Sequence, residues 1–283
     1  MEKQVVGVVG AGVMGVGVAQ NLAQTGHRVL LLDLTEDILR KAKDELQKNM
    51  RFQRMLKKEQ PQMSAAQVME AITFTTSYAP FAEADFVIEN ASEQWSVKQK
   101  IHTQLDTVCP AHTVFAANTS AISITKIGAV TRRPAQILGI HFMNPVPLKP
   151  AVEVIRGFHT SDDTIATAQC LLTNMGKQWI IVNDYPGFVS NRISHLFMNE
   201  AAFVVQDQVA TAKDVDEIFT RCYGHAMGPL QTADLIGLDT VVDTLNVLYQ
   251  SYQDPKFRCC PLLQKMVDAG LLGVKSGQGF YRY

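Results

Sequence analysis

Apolar residues in the first half of the chain come in short unbroken runs, led by Val5-Val6-Gly7-Val8-Val9 and Val29-Leu30-Leu31-Leu32. Runs without alternation, rich in leucine or β-branched residues, predict strands covered on both faces. Shorter runs of the same kind fall at 72–76, 86–88, 114–117 and 137–140. Stretches with helical spacing lie between several of them, so the pattern predicts an α/β fold whose sheet is largely parallel. One connection is oversized. A polar, basic helix over about 36–58 is followed by Pro61 and a second short helix, which is more chain than a crossover needs. It reads as an inserted helical hairpin over about 36–71, either a solvated helix pair or a projection that touches a ligand.

Beyond Trp179-Ile180-Ile181-Val182 the pattern changes. Asn183-Asp184-Tyr185-Pro186-Gly187 is turn-forming, and after it helical spacing takes over at 189–208, 213–221, 235–252 and 262–269. The expected division is a sheet domain over 1–183 and an all-α domain over 184–283.

Bulk properties narrow the class. A formal net charge of −1 gives no global field that would draw the chain to nucleic acid or an anionic membrane. No apolar run is long enough to span a bilayer, and the first residues already read as a strand instead of a signal segment. Five cysteines with no CxxC pair read as reduced structural thiols, and the expected compartment is the cytoplasm.

The first strand runs into Gly10-Ala11-Gly12-Val13-Met14-Gly15, followed by the small-residue helix Val16-Gly17-Val18-Ala19. Alone, such a glycine loop is weak evidence. Here a strand precedes it, a helix follows it, and Asp33 ends the next strand about 20 residues on, as in a Rossmann-type dinucleotide site. Gly10 permits the tight turn, Gly12 lets the backbone approach a pyrophosphate, and Gly15 lets helix pack on strand. The helix N-terminus offers N–H groups to the phosphates. A carboxylate at Asp33 hydrogen-bonds ribose hydroxyls and repels a 2′-phosphate, so NAD is expected over NADP.

His141 stands at the end of the apolar run 137–140, where α/β sheets place their ligands. Glu153 follows within Val152-Glu153-Val154-Ile155, and Pro145, Pro147 and Pro150 turn the chain between them. A carboxylate among apolar residues needs a partner, and a returning strand would set Glu153 beside His141.

Taken together these segments resemble the (S)-3-hydroxyacyl-CoA dehydrogenases, especially the short bacterial 3-hydroxybutyryl-CoA dehydrogenases. The resemblance rests on GAGVMGVGVAQ, VIENASE, ANTSAISIT, HFMNPVPL followed by VEVI, PGFVSNR, MGPLQTADLIGLD and the terminal KSGQGFY. It implies that His141 is the general base, that Glu153 orients it, and that Ser120 binds the reacting oxygen. It implies that Asn191 lies near the catalytic pair, and that Asn144 serves both cofactor and substrate. Glu93, Lys98 and Asn118 match positions at the nicotinamide end of the cofactor, and Lys275 a further lysine near it. The hairpin matches the coenzyme A-binding hairpin of the family, with Lys57 nearest its lysine, among Arg51, Arg54 and Lys58. The helical domain matches a dimerisation domain, implying a homodimer.

One departure adjoins the acyl site. The family usually reads Met-Lys-Leu before VEV, where this chain has Lys149-Pro150-Ala151. Two alternatives follow. Relatives in polyketide pathways oxidise a hydroxyacyl group, such as glyceryl, on an acyl carrier protein instead of coenzyme A. A non-catalytic NAD-binding structural protein, in the manner of the related lens crystallins, is the other.

Overall fold

The computed structural model describes residues 3–56 and 63–283. Contacts divide the chain into two units, Met1–Asp184 and Tyr185–Tyr283.

The first unit holds one sheet of eight strands: β1 (Val5–Val9), β2 (Arg28–Leu32), β3 (Ile72–Thr75), β4 (Phe86–Glu89), β5 (Val114–Ala117), β6 (Ile137–His141), β7 (Ala151–Arg156) and β8 (Gln178–Asn183). Their spatial order is β3-β2-β1-β4-β5-β6-β7-β8. Neighbours are parallel except β6 and β7, which run antiparallel. The central strands β4, β5 and β6 are buried along their whole length, which explains their unbroken apolar runs. β8 is an edge strand and leaves Ile180 and Ile181 exposed.

Helices of this unit are α1 (Val13–Gln24), α2 (Glu36–Leu56), α3 (Ala65–Glu70), α4 (Trp95–Val108), α5 (Ile124–Gly128) and α6 (Asp162–Asn174). In α2, Leu39, Ala42, Leu46 and Met50 are buried at helical spacing; the rest of the helix is largely polar, with Phe52 and Met55 exposed near its end. α3 starts at a reciprocal cap, in which Ser64 accepts from the Gln67 N–H and the Gln67 side chain accepts from the Ser64 N–H.

The turn at Lys149-Pro150-Ala151 does not depend on the amide donor that Pro150 lacks. The buried Lys177 ammonium donates to the carbonyls of Val146 and Lys149 at 2.6 and 2.7 Å, and the Gln178 N–H donates to Pro150 O at 2.7 Å.

The second unit is helical: α7 (Ser190–Gln206), α8 (Ala212–Arg221), α9 (Pro229–Ile236), α10 (Leu238–Tyr252) and α11 (Pro261–Asp268). Met198, Leu230, Leu238, Val241, Leu245 and Leu263 belong to its own core. The expected single helix over 235–252 is interrupted. Gly237 takes φ +103°, outside the helical region, so α9 ends and α10 begins at this glycine. The segment 229–236 was not foreseen as a helix. Asp234 at its centre is fully buried and accepts from the N–H groups of Phe280 and Tyr281.

All five cysteines carry free thiols. No helix among the described residues is long and apolar enough to cross a membrane.

Candidate active site

Strand order reverses between β1 and β4, and the glycine loop lies at that switch point, where open α/β sheets bind their ligands. The three glycines meet different demands. Gly10 has φ +94°, and a Cβ there would approach the Asn90 carbonyl to 2.8 Å. A Cβ on Gly15 would sit 1.8 Å from Gly10 O. At Gly12 a Cβ would meet no protein atom within 4 Å, so the space before that backbone is open to a ligand. Gly12 caps α1 without any side-chain hydrogen bond, leaving the first N–H groups of the helix to the loop. This cradle fits a dinucleotide pyrophosphate.

Asp33 closes one side of the loop. Its Oδ2 accepts from the Ala11 N–H and its Oδ1 from the Leu34 N–H, both at 2.6 Å. A cavity of about 680 Å³ opens from here, lined by Gly10, Gly12, Asp33, Tyr78, Asn90 and Lys100 among others. Its size suits an adenosine moiety. Burial, then the charges of Glu89 and Asp33, push the Tyr78 hydroxyl pKa up, so the phenol stays protonated.

A smaller cavity of about 200 Å³ shares Asn90 and Ala91 with the first and is lined by Met14, Glu93, Asn118, Ser120, His141 and Phe142. His141, at the end of β6, is buried. Its Nδ1 lies 2.9 Å from Glu153 Oε2 on β7, and its Nε2 lies 3.3 Å from Ser120 Oγ. A carboxylate only accepts, so Nδ1 is the donor in that contact and Nε2 is the nitrogen that faces the Ser120 hydroxyl.

Beneath this cavity runs a polar network that links three strand ends. Asn118, after β5, donates from Nδ2 to Asn90 Oδ1 at 2.8 Å and accepts at Oδ1 from the Phe142 N–H at 3.2 Å. The fully buried Lys98 ammonium donates to both oxygens of Glu89 at 2.9 Å and to Asn118 O at 3.2 Å. Lys98 is thus occupied by the scaffold below the trench. His102, one turn further along α4, brings Nε2 to 3.4 Å from Glu89 Oε2, at ion-pair range without hydrogen-bond alignment. Burial alone raises the Glu89 carboxyl, but His102 and the Lys98 ammonium outweigh it and hold the carboxyl below its ordinary value. Glu89 and His102 escaped the sequence reading. A signal existed for Glu89, because a carboxylate ending the apolar strand Phe86-Val87-Ile88 needs a partner just as Glu153 does.

The other expected site residues are distributed as follows. Val13 and Asn144 line a further cavity of about 220 Å³ together with Gly17, Gln20, Asn49 and Phe52. Asn144 lies here and is not among the residues lining the two dinucleotide cavities. Asn191 stands in the first turn of α7 and Lys275 pairs with Asp239, both within the second unit. Lys57 lies outside the described residues, as does Lys58.

A switch-point dinucleotide cradle with an adjoining histidine–carboxylate pair defines an NAD-dependent oxidoreductase. Comparison with known proteins sharpens this. The 3-hydroxyacyl-CoA dehydrogenase NAD-binding domain family matches residues 5–185, and the C-terminal domain family of the same enzymes matches 187–283. A probable 3-hydroxybutyryl-CoA dehydrogenase of Bacillus subtilis is 42% identical over 283 residues, covering 100% of this chain and 98% of that protein. The mitochondrial hydroxyacyl-coenzyme A dehydrogenase of Sus scrofa is 35% identical over 98% of this chain and 90% of its own. The crystal structure of (S)-3-hydroxybutyryl-CoA dehydrogenase from Ralstonia eutropha superposes with a TM-score of 0.93 at 40% identity, covering 100% of this chain and 99% of that one. The chain belongs to the 3-hydroxyacyl-CoA dehydrogenase family.

Proposed function

We propose that this enzyme oxidises the 3-hydroxyl of a short (S)-3-hydroxyacyl-CoA, 3-hydroxybutyryl-CoA foremost, to the 3-oxoacyl thioester, and runs the reverse reduction. The observation that carries the reading is the His141–Glu153 pair facing Ser120 at the inner end of the dinucleotide trench.

When bound, NAD supplies the hydride acceptor. Hydride leaves a carbinol carbon only if the hydroxyl proton departs too, and His141 Nε2 is the base that takes it. Ser120 holds the substrate oxygen against the imidazole. Glu153 keeps Nδ1 protonated and stabilises the imidazolium that forms, as a carboxylate does in a hydrolase triad. In the reverse direction protonated His141 donates to the 3-carbonyl. Asn191, Asn144 and Lys275 enter through the family resemblance, as does a coenzyme A contact at Lys57 on the hairpin.

Two further parts belong to the same reading. A homodimer through the helical unit is supported by the apolar side chains it leaves exposed, Ile193 and Leu235 among them; sedimentation at monomer mass overturns it. Cytoplasmic residence is in keeping with five cysteines that carry free thiols.

The test is NADH formation from purified enzyme with (S)-3-hydroxybutyryl-CoA, set beside the same acyl group on an acyl carrier protein. Turnover of the coenzyme A ester is expected. Negligible turnover there with fast oxidation of the carrier-bound group replaces coenzyme A by the carrier, and no turnover of either removes the reading.

A further inference from the structure

Ser120 sits on a loop between β5 and α5 that no sheet ladder holds. What fixes it comes from elsewhere in the chain. Glu93, on the loop between β4 and α4, extends its carboxylate to residues 119–122. Its Oε1 accepts from the Thr119 hydroxyl at 2.5 Å and from the N–H groups of Ser120, Ala121 and Ile122 at 3.1, 2.9 and 3.3 Å. Successive N–H groups curled around one anionic oxygen form a nest whose shape depends on the charge at its centre. Thr119 completes it by accepting from the Ile122 N–H at 2.9 Å.

Glu93 is steadied from behind. Its Oε2 lies 3.9 Å from Lys98 Nζ, and that ammonium is pinned by Glu89 and Asn118 O. The pinning pair is fully buried, whereas the Glu93 side chain is 40% exposed. A row of alternating charge, Glu89, Lys98 and Glu93, thus runs from the buried end of β4 to the serine loop.

We propose that Glu93 is a positioning residue that sets the distance between Ser120 Oγ and His141 Nε2. The proposal rests on the reading above, in which Ser120 and His141 share the reacting oxygen. Its basis is occupancy. Oε1 is filled by four donors of one loop, and the residue at the centre of that loop carries the hydroxyl 3.3 Å from the imidazole.

A double-mutant cycle tests this. Glu93→Ala, Ser120→Ala and the double variant are compared for kcat, KM for the thioester and NAD affinity, with Glu93→Gln as the variant that keeps an acceptor oxygen. Glu93→Ala is expected to lower kcat by about tenfold or more with NAD affinity within about twofold, because the lost alignment is felt in the transition state. Glu93→Gln, which keeps the acceptor oxygen but not the charge, is expected to recover only part of the rate and to leave a loss of about threefold or more. In the Ser120→Ala background the Glu93→Ala change is expected to cost less than about twofold, since residues that act through one another are not additive. A full additional loss in that background overturns the proposal, as does a loss confined to NAD affinity. Should Glu93→Ala not fold, the same cycle is read with Glu93→Gln, where a rate loss that persists undiminished without Ser120 overturns it. Wild-type turnover by Ser120→Ala alone is a separate result and removes the catalytic reading itself.

Discussion

His141 and Glu153 are directly opposed partners across the antiparallel β6–β7 ladder, and their side chains meet at 2.9 Å between Nδ1 and Oε2. Opposed residues in an antiparallel pair project to the same face, so the ladder itself carries the histidine–carboxylate contact. A shift of one residue in register would turn Glu153 to the other face. The reversal of β7 in an otherwise parallel sheet is therefore part of the site.

His141→Ala is expected to lower turnover on the order of 10²–10⁴-fold, the usual scale for a positioned acid–base group, while NAD binding stays near wild type. Steady-state kinetics and cofactor titration read both quantities. Near-normal turnover would return His141 to a structural role. Glu153→Gln is expected to fall between the two, because an amide oxygen still orients Nδ1–H but no longer stabilises imidazolium.

Gly12→Ala and Gly15→Ala should separate ligand space from protein space. A methyl at Gly12 meets no protein atom within 4 Å, so the variant is expected to melt like wild type and to bind NAD about tenfold or more weakly. At Gly15 the methyl would lie 1.8 Å from Gly10 O, and overpacking of about 1–3 kcal/mol should appear in the melt itself. Equal behaviour of the two variants would contradict the cradle described for the pyrophosphate.

Asp33→Ala is expected to weaken NAD binding by about tenfold and to relax the preference against NADP, because the carboxylate that repels a 2′-phosphate is gone. The Ala11 and Leu34 N–H groups also lose their acceptor, so part of the loss reflects a looser glycine loop. Unchanged cofactor preference would place the selection elsewhere.

Glu89→Gln tests the buried support. Leaving the Lys98 ammonium without its counter-charge should cost about 3–5 kcal/mol near neutral pH. The Glu89 carboxyl titrates lower in the folded chain than its ordinary value of 4.5. Its contribution is therefore complete above that value and is lost as pH falls through the folded one. Denaturant melts from about pH 7 to about pH 3 should show a wild-type advantage that holds and then narrows at the acid end. A gap that stays constant through that range would mean Glu89 does not titrate with the fold.

Much of this enzyme was legible in order along the chain. Gly10, Gly12 and Gly15 answer local demands of one turn, and Asp33 is fixed by the length of one helix and one strand. Unbroken apolar runs mark buried strands, because burial on both faces leaves no polar alternation. The change of pattern near 183 and the match of ordered motifs needed no coordinates either. His141 with Glu153 was also within reach, because a buried carboxylate demands a partner and the intervening prolines turn the chain.

Tertiary structure alone decided the rest. Gly237 divides one apolar periodicity into two helices because its backbone takes φ +103°, outside the helical region. Glu93 reads in sequence as a residue beside the cofactor; that its carboxylate also accepts from the loop that carries Ser120 shows only in the tertiary structure. Lys98 and His102 share a helix face, but their common role shows only once β4 sets the Glu89 carboxylate beside both. Local pattern reports what one element needs from its own neighbours. Which side chain satisfies a buried charge is set by strand order, and strand order joins residues that no sequence spacing connects.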